Sequence, residues 1–245
     1  METQKIFDYL QEFKNFPTYQ LERRIDAFML PYLANAFNKK FELDDDKLVF
    51  VYPEFPLKRL VNNKNTEPDK LDKLSEYADY VLWSPKLHTV YLIEFKTDEM
   101  SLKESQFFNY YENCKMGWKV LIVYYFDKAI GNQKYWSKFV KGLLYIKNTA
   151  PALIGIEQHL NLGNFLEKNK SKGVHHKLQE IKSLIAFGNE PNVKFIFLAP
   201  EKASSKLQSY ISKIPDSQNY YAGHFSISDF AAYTDEPLKK LLSNI

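Results

Sequence analysis

Hydrophobic positions along the chain change period several times, and each change marks an element. Ile6, Tyr9, Leu10 and Phe13 recur at helical spacing and predict a helix over 5–14. Asn15 to Pro17 break it, and Thr18 is a suitable N-cap for a second helix. The apolar face of that helix is Leu21, Ile25, Phe28, Met29, Tyr32, Leu33 and Phe37, with Pro31 expected to kink it or end its first half. After the Asp44–Asp46 turn, 47–55 reads as a strand ended by Pro53 and Pro56. Residues 61–76 are polar and charged and read as a surface loop. Strands are expected at 79–83 and 89–96, joined around Ser84, Pro85 and Lys86 closely enough to form an antiparallel hairpin.

Beyond the hairpin, 101–114 reads as a helix carrying Leu102, Phe107, Tyr110 and Tyr111. The run 118–126 is apolar almost throughout and reads as a central strand covered on both faces. A helix over 133–147, a broken helical stretch over about 150–190, a strand at 193–199, a polar helix and a short strand near 225–227 complete the chain. No repeat or linker divides it. The expectation is one α/β domain over 1–245, a mixed central sheet flanked by helices.

Composition narrows the picture. The 245 residues are 45% hydrophobic, enough for a full core, and 16% aromatic. Lysine and arginine exceed aspartate and glutamate by 33 − 30 = 3, which permits contact with nucleic acid without demanding it. A single cysteine, Cys114, excludes an internal disulfide and a cysteine-rich zinc site. With no signal-like leader and no long apolar stretch, the expectation is a cytoplasmic protein without a membrane partner. Phosphate-binding glycine loops, nucleophile elbows and dinucleotide fingerprints are absent from the sequence.

The chemistry concentrates in YLIEFKTD at 91–98. Glu94 and Lys96 lie two apart on a strand, so they share a face while Ile93 and Phe95 take the other. Unlike charges on a buried strand are costly unless paired or bound. The hairpin brings Asp79 nearly opposite Glu94, where cross-strand Cβ atoms approach within roughly 5 Å. Two carboxylates that close repel, and a divalent cation resolves the conflict. The Phe95 carbonyl could add a ligand. Lys96 would then orient or deprotonate an attacking water and stabilise charge on the attacked phosphate, which suggests phosphodiester hydrolysis.

Asp79 followed by Glu94-Phe95-Lys96 resembles the PD-(D/E)XK nuclease superfamily, with its restriction-endonuclease-like fold. PEFPLK at 53–58, ADY at 78–80, EFKTD at 94–98, and Ser101 to Gln106 followed by Tyr110-Tyr111 resemble an uncharacterised bacterial branch of it. The motif-bearing core spans about 18–126. The resemblance implies a Mg²⁺-dependent nuclease, with Mn²⁺ as a substitute, acting on DNA ahead of RNA. Asp79, Glu94 and the Phe95 carbonyl would bind metal, Glu22 of the preceding helix would complete the metal shell, and Gln106 would support the lysine or a phosphate. Ala78 stands where the superfamily name has proline. A literal Pro68-Asp69 lies in the charged loop with no strand to aim it, so Asp79 is preferred.

Each feature has a plainer reading. Glu22 could pair with Arg23 or Arg24 along its helix, and Gln106 could be an exposed helix residue. Lys103, Lys170 and Lys172 are candidate phosphate contacts, set against ordinary solvated lysines. His176 and Glu180 have metal spacing but no third ligand at a recognisable interval. The alternative function is a catalytically silent member that binds nucleic acid or protein, and a homodimer is left open.

Overall fold

The computed structural model describes residues 24–42, 47–60, 76–96, 98–131, 136–154 and 189–242. Helix 5–14, the start of the second helix with Glu22, the loop 61–75, and most of the 150–190 stretch with Lys170 and Lys172 lie outside them.

Helix α1 (Arg24–Lys40) leads into β1 (Val49–Leu57), β2 (Glu76–Ser84) and β3 (Thr89–Phe95). Helices α2 (Glu104–Met116), α3 (Trp118–Gly131) and α4 (Trp136–Thr149) follow. Then come β4 (Asn192–Ala199), α5 (Ser204–Ile211), α6 (Ser217–Tyr220), β5 (Tyr221–Ser226), α7 (Ile227–Ala231) and α8 (Glu236–Leu242). The five strands form one sheet in the order β1-β2-β3-β4-β5. β1, β2 and β3 are antiparallel neighbours, whereas β4 runs parallel to β3 and β5 parallel to β4. The protein is therefore an α/β fold on a mixed sheet, as the sequence predicts.

Strand alternation assigns the layers. Phe195 and Phe197 share a face, and Phe107 and Tyr110 of α2 pack on both rings. Phe225 pairs with Leu198 in register and so takes the opposite face, where Phe37 of α1 meets it edge-on at 4.9 Å. Helices α1 and α2 therefore cover opposite faces. On the α2 side, α3 packs against β1, and the hydroxyls of Tyr52 and Tyr125 meet at 2.6 Å in the core.

Three expectations change. Residues 118–126 are not a strand but the first part of α3. Trp118, Leu121, Ile122, Tyr125 and Phe126 are fully buried while Val120 is 40% exposed, which is helical spacing. The apolar run fits either period. β4 fills the place beside β3, and a parallel neighbour requires a long covering crossover, to which α3 belongs. Next, Pro53 and Pro56 do not end β1. It runs on to Leu57 because it is the edge of the sheet, where a missing N–H need cost no ladder bond. At Pro31, where a kink or an end is expected, α1 does not end but continues to Lys40. The last strand, at Tyr221–Ser226, begins earlier than expected, and Ser226 closes it by capping α7.

Among the described residues no helix is long and apolar enough to cross a membrane.

Candidate active site

A four-residue turn sets the register on which the site depends. Ser84 Oγ accepts the Leu87 N–H at 3.0 Å, and Thr89 Oγ1 donates to the Leu87 carbonyl at 2.9 Å. Ser84 then pairs with Thr89, and the register continues without slip to Tyr80 opposite Ile93. The pairing stops one residue short of Asp79 and Glu94, which alternation places on the same face of the sheet.

There the two strands part. β2 stays with β1 as far as Glu76 opposite Leu57. β3 stays with β4 as far as Phe95 opposite Leu198, and the Lys96 N–H still donates to the Leu198 carbonyl at 2.8 Å. In place of a backbone partner on β2, the Phe95 N–H is taken by Asp79 Oδ2 at 2.7 Å. This fork in the sheet holds Asp79, 8% exposed, and Glu94, 2% exposed.

Helix α2 closes the fork. Gln106 Nε2 donates to Glu94 Oε1 at 2.6 Å. Lys96 Nζ forms an ion pair with the same oxygen. The Tyr110 hydroxyl donates to Glu94 Oε2 at 2.5 Å and also lies 3.2 Å from the Tyr77 carbonyl. Gln106 and Tyr110 are four apart on one helix, so both face the fork. Of the predicted residues, Asp79, Glu94, Lys96, Phe95 and Gln106 come together. Gln106 supports the acid and makes no described contact with the lysine. Lys103 sits exposed at the N-cap of α2.

The electrostatics follow from burial. Desolvation, and then the neighbouring Asp79, push the Glu94 carboxyl up to about 8, against the opposing pull of Lys96 and Tyr110. Burial, and then Glu94, hold the Tyr110 phenol well above its usual range, so it stays a neutral donor. A divalent cation suits this donor set: it would favour the charged form of Glu94, which burial and the neighbouring Asp79 disfavour. Among the described residues no three His, Cys, Asp or Glu side chains converge as a metal cage. The fork brings together the carboxylates of Asp79 and Glu94.

Tyr110 is the residue that the sequence reading misses, having assigned it to the apolar face. Its i, i+4 spacing from Gln106 is the signal that could have exposed it. Glu54 is a further surprise: it is buried, has φ +49°, and falls opposite Asp79 by the register of Pro53–Tyr80 and Phe55–Ala78. Comparison with family models, curated proteins and solved structures finds no match.

Proposed function

We propose that this protein is a metal-dependent phosphodiester hydrolase with a restriction-endonuclease-like core of the PD-(D/E)XK kind, cleaving DNA ahead of RNA. The observation that carries the reading is the fork, where Asp79 takes the Phe95 N–H beside Glu94 and Lys96 sits on the glutamate. Three antiparallel strands followed by two parallel ones, with α1 before them and α2 after, are compatible with that core.

Asp79, Glu94 and the Phe95 carbonyl would hold Mg²⁺ or Mn²⁺, with Glu22 as a further ligand from outside the described residues. The cation supplies Lewis acidity at the phosphate and a more acidic bound water. Gln106 and Tyr110 fix the Glu94 carboxylate, so its orientation is set before substrate arrives. Lys96, with its side chain 17% exposed, is the cation within reach of an entering phosphate, where it can orient water and stabilise developing charge. Water adds to phosphorus, the P–O ester bond breaks, and the departing oxygen takes a proton.

Incubation with plasmid, linear and single-stranded DNA and with RNA, in Mg²⁺, Mn²⁺ or Ca²⁺, tests this. Metal-dependent cleavage that is lost in Lys96→Ala is the expected result, and no cleavage with any metal overturns it. A second reading has one observation in its favour. Both oxygens of Glu94 are already engaged by Lys96, Gln106 and Tyr110, as in a silent member that binds nucleic acid or protein. Binding of nucleic acid without cleavage would select it.

A further inference from the structure

Beside the fork lies a cluster of charge that the hydrolysis just described does not use. On leaving β1, residues 58–60 are held by two fully buried amides of α2. Asn113 accepts the Lys58 N–H at 2.9 Å and donates to the Lys58 carbonyl at 2.8 Å, as a neighbouring strand would. Asn109 accepts the Leu60 N–H at 2.8 Å. Arg59 sits between these anchors, so its backbone is fixed at both sides. Its side chain is 25% exposed, and its one described charge contact is long: Nε lies 3.8 Å from Glu76 Oε1. The two terminal NH₂ groups of the guanidinium, a planar fork suited to phosphate, are not used in that contact.

Glu76 opens β2 at the mouth of the fork. Its Oε2 and the Asn109 Nδ2 are both buried without a hydrogen-bond partner. The Asn109 amide is near enough to favour the charged carboxylate, but the two groups do not meet in hydrogen-bonding geometry. Lys96 and Lys103 also lie close enough to favour that charge. With Lys96 already paired to Glu94, Arg59 and Lys103 are the cations left to act on the Glu76 carboxylate, which leaves that cluster with one positive charge over. Buried donors without partners are costly, and phosphate oxygens satisfy them.

We propose that Arg59, Lys103 and Asn109 form a phosphate-binding subsite next to the fork. It takes the phosphate adjacent to the scissile one in a nucleic-acid strand. The proposal rests on reading the fork as a phosphodiesterase site and adds where the strand runs: from Lys96 along the N-terminal half of α2 toward the end of β1. Arg59 is a positioning residue for substrate and takes no part in the bond cleavage.

The test separates the subsite from the chemistry. Oligonucleotide binding is measured in Ca²⁺ across a salt series, in a Lys96→Ala background that holds the strand intact. Arg59→Ala is expected to weaken binding about tenfold and to reduce the slope of log K against log salt by about one, with Lys103→Ala removing about one more. Arg59→Lys should restore the slope with incomplete affinity, because the charge returns without the planar fork. In otherwise wild-type protein, Arg59→Ala should raise KM for the oligonucleotide. It should leave hydrolysis of bis(p-nitrophenyl) phosphate, which has no second phosphate, unchanged. Arg59→Gln repeats the comparison if the alanine variant does not fold. Unchanged affinity and salt slope in a folded Arg59 variant overturn the subsite, as does an absence of oligonucleotide binding by the parent. Binding that depends on Arg59 without cleavage of either substrate overturns the hydrolase reading and leaves the subsite standing.

Discussion

Replacing Glu94 by glutamine should stabilise the metal-free protein while abolishing cleavage. Glu94 is 2% exposed beside Asp79, and its carboxyl is pushed from an ordinary 4.5 up to about 8. A folded value above the unfolded one means that the native state holds the proton more tightly. Its contribution to stability is therefore complete below about pH 4.5 and is lost as pH rises through about 8. Over about pH 5 to 8 the loss amounts to roughly 3–4 kcal/mol for a shift of this size. A slope of about 3 kcal/mol per molar urea turns it into a midpoint change of roughly 1 M. The new amide keeps its oxygen toward Gln106 and Lys96. Its NH₂ can donate to the Tyr110 hydroxyl, which turns its own proton to the Tyr77 carbonyl 3.2 Å away. The shape and most hydrogen bonds survive, and the titrating charge does not. Urea midpoints of both proteins in EDTA at several pH values measure the effect. Wild type should lose stability across the window and Glu94→Gln should stay nearly flat, while excess Mg²⁺ should flatten wild type alone. Parallel curves in EDTA would refute the argument, because Glu94 would then be no more costly to ionise in the folded state than in the unfolded one.

Two other outcomes follow from the packing around the site. Tyr110→Phe keeps the ring against Phe195 and Phe197 but removes the donor to Glu94. Cleavage should fall about 10- to 100-fold with a higher metal requirement and an intact fold, read as rate against Mn²⁺ concentration beside a circular-dichroism melt; an unchanged metal dependence counts against its role in orienting the acid. In α4, Gly142 abuts the hydroxyls of Tyr52 and Tyr125, so a methyl there collides with both. Helix propensity alone would favour Gly142→Ala by about 1 kcal/mol, yet overpacking should reverse the sign and cost about 1–3 kcal/mol net. A thermal melt decides, and a raised melting temperature contradicts the collision.

Much of the site was legible because it sits on a hairpin. Period-2 alternation puts Glu94 and Lys96 on one face, and a short turn allows only a few registers, so Asp79 beside Glu94 can be derived without coordinates, as the pairing of Tyr80 with Ile93 next to them bears out. The preference for Asp79 over the literal Pro68-Asp69 rests on the same ground, an apolar strand able to aim the side chain; Pro68 and Asp69 lie outside the described residues. The limits are equally specific. WKVLIVYYF satisfies a strand and a buried helix alike, because a run without polar residues has no period to measure. It became α3 once β4 occupied the position beside β3.

Local pattern thus determined the α/β class, the hairpin, and the identities of the acids and the lysine, since these depend on alternation and turns within a few residues. Tertiary structure alone decided that β2 and β3 separate at Asp79, because each strand is drawn away by its other neighbour, β1 on one side and β4 on the other. It also decided that Tyr110 holds Glu94 and that Arg59 and Lys103 both act on Glu76. These interactions join residues 16 to 27 positions apart, brought together by the docking of α2 on the sheet, and no repeat along the chain encodes that distance.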